Sequence, residues 1–108
     1  MIYLKYYVKN DLGGFAGKAY AFIILIHVDY KNDRGLLEHE KVHVRQFWRN
    51  PLHGLFYRFS KKYRLKSEVE AYRKQIEYGA DIDNMAWLLW DRYDLDITLD
   101  EAKKLLEG

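Results

Sequence analysis

The sequence predicts one α+β domain that spans residues 1–108, with a small N-terminal antiparallel sheet followed by several helices. An alternating apolar pattern near the N-terminus and a β-branched run after a glycine-rich segment predict strands. From residue 36 onward the apolar spacing changes to the period of helices. With 49% hydrophobic residues, the chain is apolar enough to fold around a core without disulfides or a metal.

The predicted sheet consists of two strands joined by a glycine-rich loop. Apolar and polar residues alternate over Ile2–Lys9, which is typical of a half-buried strand. Residues 10–17 hold three glycines and predict a turn or loop. Lys18–Asp29 is rich in β-branched and aromatic residues and predicts a second, more deeply buried strand. Residues 30–35 then turn the chain toward the helices.

The first predicted helix runs from Leu36 to Arg49. It ends before Asn50 and Pro51, because a proline disfavours helical backbone at the residue that precedes it. The next segment, Leu52–Tyr63, is aromatic and basic, and it predicts a short helix or an ordered connection.

Further helices are predicted from capping patterns. A helix over residues 67–79 begins with a capping box, in which Ser67 is followed three residues later by Glu70. Two C-terminal helices follow: a fourth helix capped by Asp83 or Asn84 and ending at Tyr93, and a short fifth helix opened by the Thr98–Glu101 capping box.

The first helix carries a His-Glu-x-x-His motif at His39, Glu40 and His43. Residues four apart lie on the same side of a helix, so the two imidazoles can bind one metal ion. Glu40 lies beside them and can act as a general base on a water bound to that ion. The motif therefore predicts zinc-dependent hydrolysis; the alternative is two exposed histidines on an amphipathic helix.

Catalytic zinc usually has three protein ligands, and the helix over residues 67–79 offers two carboxylates for the third position. Glu68 and Glu70 point about 200° apart around the axis, so only one of them can face the metal. Glu68 shares its side of the helix with Ala71 and Tyr72, which predicts an inward position. Glu70 shares its side with charged residues, and in the predicted capping box its side chain bonds to the backbone N–H of Ser67. We therefore predict Glu68 as the third ligand.

Other residues fit a metal site less well. A related class of zinc site places a third histidine six residues after the second, with a glycine midway, but Gln46 and Arg49 occupy those positions here. His53 follows the end of the first helix and is predicted to be a surface or auxiliary histidine. His27, near the end of an apolar strand, is predicted to be structural.

Composition narrows the function further. The absence of cysteine excludes disulfides and thiolate zinc sites. A net charge of only +2, with basic and acidic residues interspersed, argues against a nucleic-acid partner. The N-terminus lacks a signal-peptide pattern, and the longest apolar run, Ala19–Val28, is too short to span a bilayer. From these features we expect a cytoplasmic protein without a membrane partner.

The segments Leu37–Gln46 and Ser67–Tyr72 resemble those of the gluzincins, in particular their minimal single-domain members. These zinc peptidases carry His-Glu-x-x-His on one helix and a glutamate on a later helix, where the sequence commonly reads Glu-x-Glu-Ala-Asp. The first glutamate of that segment binds the metal, which implies Glu68. The resemblance also implies a zincin-like fold, a peptide or protein substrate, and pairing of part of Phe22–Tyr30 with an extended substrate.

The activity that this resemblance implies is peptide-bond hydrolysis. A Zn²⁺ ion on the three predicted ligands would activate a water, and Glu40 would take its proton and pass it to the leaving amine. Tyr72 stands where the family often has an aspartate that orients a zinc-bound histidine. The sequence does not choose among the candidates for stabilising the transition state, which are His53, Tyr57, Tyr63 and Tyr72.

Two other functions stay open at this point. The chain could be a catalytically silent metal-bound domain of a larger, phage-derived assembly. It could also be a metal-free protein-binding module that uses its tryptophans and tyrosines as a partner surface, although such aromatics more often lie in a core. A glutamate at position 40 favours catalysis, because a purely structural metal site has no use for a base there.

Overall fold

Three strands at the N-terminus are followed by five helices, which confirms the α+β class. The structure is a computed structural model that describes residues 1–108. No helix combines the length and the apolar character needed to cross a membrane. The elements are β1 (Leu4–Val8), β2 (Gly17–Tyr20), β3 (Ile23–His27), a 3₁₀ turn (Val28–Tyr30), α1 (Arg34–Arg49), α2 (His53–Phe59), α3 (Lys61–Glu77), α4 (Ile82–Arg92) and α5 (Leu99–Glu107).

The sheet is mixed, with the strand order β1-β3-β2. β2 and β3 pair antiparallel, but β1 pairs parallel with β3, so the prediction of a purely antiparallel sheet is wrong. The reason is that the glycine-rich loop carries the chain past the position of β3 before β2 begins. β3 then returns between the two earlier strands, and β1 and β2 are left as the edges.

The run predicted as one strand, Lys18–Asp29, forms two strands. The chain reverses at Ala21, whose φ of 52° lies in the left-handed region. No glycine, proline or asparagine marks this turn, and so the apolar run conceals it. The reversal makes β3 the central strand, and its Ile24 and Ile26 are fully buried.

α1 begins two residues before the predicted start, because the Asp33 side chain caps it by accepting a hydrogen bond from the Leu36 backbone N–H at 3.0 Å. It ends at Arg49, as predicted from the proline that follows. The apolar side of α1 packs Leu36 and Val44 against the inner face of β3. This contact orients the remaining inward side of α1 toward α3.

α3 begins well before the predicted start. Ser60 caps it by accepting a hydrogen bond from the Tyr63 N–H at 3.1 Å, and only this one residue separates α2 from α3. Ser67 therefore lies in mid-helix, and the predicted Ser67–Glu70 capping box is wrong. The physical reason is that Lys61–Lys66 contains no helix breaker, so the earlier cap prevails.

The C-terminal helices form a second core against α3. Asp81 caps α4, ahead of the predicted Asp83 or Asn84, and the predicted capping box between Thr98 and Glu101 is confirmed. α3 thus lies between α1 and the C-terminal helices. The second core comprises Tyr72, Met85, Ala86, Leu89, Leu95, Ala102 and Leu106.

We expect Leu89→Ala to lower the free energy of unfolding by about 2–5 kcal/mol, because Leu89 is completely buried in this second core. Leu105→Ala is the matched control, since the same atoms are removed from a side chain that is 37% exposed. Urea denaturation of both variants measures the difference. If both variants lost the same free energy of unfolding, the position of this core would be contradicted.

Candidate metal centre

α1 and α3 bring His39, His43 and Glu68 together. One carboxylate oxygen, Oε1 of Glu68, lies 3.2 Å from Nε2 of His39 and 3.2 Å from Nε2 of His43. The three ligand atoms lie within 4.8 Å of one another, and all three residues are buried. The predicted ligand residues therefore form one cluster that could hold a metal ion.

The spacing of these atoms fits a small divalent ion. Bonds of about 2.0–2.1 Å in a tetrahedral site place neighbouring ligand atoms about 3.3 Å apart. Both nitrogen-to-oxygen separations, at 3.2 Å, match that spacing. Two imidazoles and one carboxylate also suit the first-row divalent metals as a donor set.

The charges of the cluster favour an anionic Glu68. Burial alone would raise the pKa of this carboxyl, but the neighbouring His43 and His39 hold it well below its usual range. Burial alone would lower the pKa of His43, yet the carboxylate of Glu68 raises it to about 9. Glu68 is thus ready to act as a ligand, and protons compete with a metal for Nε2 of His43.

A hydrogen-bond network orients His43. Its Nδ1 lies 2.8 Å from Oε1 of Gln46, which also accepts a hydrogen bond from Oγ of Ser67 at 2.6 Å. Nε2 of Gln46 donates to the Ser67 carbonyl and to Glu70, at 3.1 and 2.8 Å. Because the Gln46 oxygen accepts, the proton of His43 belongs on Nδ1, and Nε2 presents its lone pair to the metal position.

His39 is held in a different way. Its Nδ1 is the one buried side-chain polar atom without a hydrogen-bond partner. The Tyr72 ring packs edge-on against the His39 ring, with centroids 4.4 Å apart, and the Tyr72 hydroxyl lies 2.7 Å from that of Tyr93. Aromatic packing by Tyr72 therefore supports this histidine, at the position where the gluzincins that the sequence resembles often have an aspartate.

Glu70 points away from the cluster, as the helical geometry predicted. Its side chain is about half exposed and accepts hydrogen bonds from Arg49 at 2.9 and 3.2 Å. It also accepts a hydrogen bond from Nε2 of Gln46. Glu70 therefore fixes the position of the Gln46 amide and does not cap a helix.

Glu40 lies beside the cluster and faces β2. Its carboxylate is packed so close to Gly17 that a Cβ added there would lie 3.2 Å from Oε2 of Glu40. Burial raises the pKa of Glu40, and the charges of His39 and His43 oppose that rise. Sequence reasoning missed Gly17; a glycine in a strand is a known signal of close approach by another group.

An open cleft of about 700 Å³ gives access to the cluster. The cleft is lined by residues of β2 and its turn, of α1, α2 and α3, and of the end of α4. The cleft reaches all three candidate ligands together with Glu40. A molecule larger than water can therefore approach the metal position.

Of the residues considered as transition-state donors, His53 and Tyr57 line this cleft, whereas Tyr63 and Tyr72 do not. The Tyr57 hydroxyl donates a short hydrogen bond to Oε2 of Glu68. Tyr63 contacts His53 instead, since its hydroxyl lies 2.7 Å from Nδ1 of that residue. Tyr93 also lines the cleft and was not predicted, since its position depends on where α4 ends.

The other two histidines lie outside the candidate ligand group, as predicted. His53 is buried and not a surface residue, and its ring centroid lies 6.3 Å from that of His43. His27 is structural: its Nδ1 accepts a hydrogen bond from the Asp29 N–H at 3.2 Å at the start of the 3₁₀ turn.

The strand that borders the cleft is β2. Phe22–Tyr30 was expected to pair with an extended substrate, but β3 within it is already paired on both sides. That expectation is wrong because the hidden turn at Ala21 places β3 in the centre of the sheet. The free edge beside the cleft belongs to Gly17–Tyr20.

Comparison with known proteins adds no relative. No protein-family model matches the chain, and neither a curated protein nor a solved structure is significantly similar to it. The function of the chain is therefore inferred from the geometry of the cluster and the cleft.

We expect Glu68→Gln to abolish stoichiometric metal binding, because a neutral amide is a poor substitute for the anionic oxygen between the two histidines. Glu70→Gln should keep one metal per chain and weaken its affinity by about tenfold at most, since it perturbs only the support of His43. Titration with Zn²⁺ against a chelating dye measures both affinities. The reverse order would show that Glu70 is the ligand.

Proposed function

We propose that this chain is a zinc-dependent peptidase of the gluzincin type. His39, His43 and Glu68 hold the zinc ion, and Glu40 is the general base. The observation that carries the proposal is the equal 3.2 Å approach of both imidazoles to one buried carboxylate oxygen, in residues that line an open cleft.

Zinc is the ion that this site suits best. Two histidines and a glutamate are a typical ligand set of catalytic zinc, which keeps a further position open for water or substrate. When bound, zinc polarises a carbonyl group and lowers the pKa of a bound water toward 7. The opening of the cleft at the ligands agrees with this arrangement, whereas a structural zinc site is closed by a fourth protein ligand.

Glu40 takes the proton from the attacking water and delivers it to the leaving amine. A carboxyl group exchanges protons best near neutral pH when its pKa lies above the usual value. Burial between α1 and β2 moves the pKa of Glu40 in that direction. The contact with Gly17 holds its carboxylate beside the two histidines.

An extended peptide is the substrate form that the cleft accommodates. β2 is an edge strand with a free side, and Gly17–Tyr20 lies along the cleft wall. A peptide can add to such an edge through main-chain hydrogen bonds, which position the scissile bond without a sequence requirement. His53 also lines the cleft, and it is the candidate that offers a polar hydrogen to the reacting carbonyl, because the Tyr57 hydroxyl already donates to Glu68.

The test combines metal content with peptide cleavage. Purified protein should contain about one zinc per chain, and it should cleave unstructured peptides with loss of activity on chelation and recovery on adding zinc. Bound zinc without cleavage would instead indicate a catalytically silent metal domain. Absence of zinc binding would reject both and leave the metal-free binding module.

Glu40→Gln should retain the zinc and lose about 10²–10⁴-fold in kcat/KM, because the amide keeps the shape but cannot accept a proton. The measurement is peptide hydrolysis at a matched zinc content. Turnover like that of the wild type would exclude Glu40 as the base.

Gly17→Ala should reduce kcat/KM by about 10–100-fold, because the added Cβ would displace the Glu40 carboxylate by a few tenths of an ångström or more. Zinc affinity should change little, since the three atoms nearest to the added Cβ belong to Glu40 and Leu25 and not to a proposed metal ligand. Gly54→Ala is the matched control: a Cβ at position 54 meets nothing within 4 Å, so its loss should be much smaller. Equal kinetics in the two variants would contradict the role of Gly17.

A further inference from the structure

Two basic side chains meet at one aromatic ring in the cleft wall. Nζ of Lys18 lies 5.1 Å from the centroid of the Phe15 ring, and the guanidinium carbon of Arg92 lies 5.7 Å from it. All three residues line the cleft and are partly buried. Lys18 comes from β2 and Arg92 from the end of α4, so the fold brings them together from distant parts of the chain.

These two cations are poorly neutralised by the protein. Lys18 takes part in none of the ion pairs of the structure. Arg92 is paired through Nε alone, at 3.4 Å from Asp91, and its Nη1 donates to the Gly14 carbonyl. Asp94 is the acidic cleft residue closest to Arg92 in the sequence. It pairs with Lys61, whose Nζ lies 3.5 Å from Oδ1 of Asp94. Donor capacity on both cations is therefore left for a ligand.

The other basic residues of the cleft differ from this pair. Arg64 donates to four backbone carbonyl oxygens, which hold the connections around α2 and the end of α4. Arg58 is exposed and packs over Phe59 at 5.4 Å without a second cation beside it. Only Lys18 and Arg92 pack over the same aromatic ring, and we call this place the cationic position.

A continuous row of aromatic contacts joins this position to the candidate metal centre. Phe15 packs on Tyr93 with ring centroids 5.8 Å apart, and Tyr93 packs on Tyr72 at 6.1 Å. Tyr72 in turn packs on His39 at 4.4 Å. The cationic position is therefore a few side chains away from the metal ligands, within the reach of a peptide bound along β2.

We propose that Lys18 and Arg92 form a subsite that binds a carboxylate of the peptide substrate. The inference rests on the proposed function and names its substrate class. Partly desolvated cations gain most from an anionic partner, because charge-assisted hydrogen bonds are about twice as strong as neutral ones. Either an acidic side chain or the C-terminal carboxylate of a peptide supplies this chemistry.

Matched peptides distinguish these two sources. One pair differs by Glu or Gln at single positions beside the cleavage site, and the other ends in a free carboxylate or an amide. In one of the two pairs, the carboxylate peptide should have a kcat/KM about tenfold higher than its neutral counterpart. This ratio corresponds to the energy of one charge-assisted hydrogen bond. Equal rates within both pairs would overturn the proposal.

Variants of Lys18 connect the preference to the subsite. Lys18→Met should reduce the ratio of carboxylate to neutral peptide severalfold, and Lys18→Glu should favour peptides with a lysine at that position. Lys5→Met is the matched control, because Lys5 also lies on a strand and over a tyrosine ring, at 5.3 Å, but does not line the cleft. A ratio unchanged in both Lys18 variants would overturn the assignment.

A binding measurement separates this inference from the proposed function. Fluorescence anisotropy of the same labelled peptides with zinc-loaded Glu40→Gln protein reports affinity without turnover. If the wild type cleaves no peptide, the proposed peptidase function fails. The subsite would still be supported if the protein binds the carboxylate peptides more tightly than the neutral ones and if Lys18→Glu removes this difference. Equal binding, or no binding of either peptide, would reject it.

Discussion

The structure depends on one buried carboxylate. Glu68 is only 2% exposed in the contact between α1 and α3, where an unpaired charge would be costly. Three side chains compensate it: the His39 and His43 rings approach one oxygen at 3.2 Å, and the Tyr57 hydroxyl donates to the other. The position of α1 against α3, and with it the geometry of the whole site, is therefore constrained by this group.

A second polar network fixes the same interface from the outer side. Gln46 of α1 bonds both the backbone and the hydroxyl of Ser67 in α3, and it extends through Glu70 to Arg49. Such a hydrogen-bond network fixes the register of α1 against α3, which apolar packing alone does not do. The two apolar clusters lie on either side: one joins α1 to the sheet, and the other joins α3 to α4 and α5. The polar site occupies the layer between them.

The cleft follows from how the sheet closes over α1. β2 approaches α1 so closely at Gly17 that an added Cβ would lie 3.2 Å from Oε2 of Glu40, and the glycine leaves the Glu40 carboxylate against bare backbone. The same strand supplies Lys18 and carries the free edge of the sheet along the cleft. The proposed general base, the proposed substrate edge and the proposed carboxylate subsite are thus all arranged by one short strand.

The sequence by itself determined the parts that depend on local periodicity. Helical spacing of four residues placed His39 and His43 on one side of α1, and the half-turn between Glu68 and Glu70 separated the inward from the outward carboxylate. Contacts between distant segments were decided only by the tertiary structure. An apolar run hides the turn at Ala21, because a residue without a special signal adopts the left-handed conformation there, and strand order then follows from chain path. The meeting of Lys18 with Arg92 likewise has no local signature, since their proximity arises from the packing of Phe15 on the end of α4.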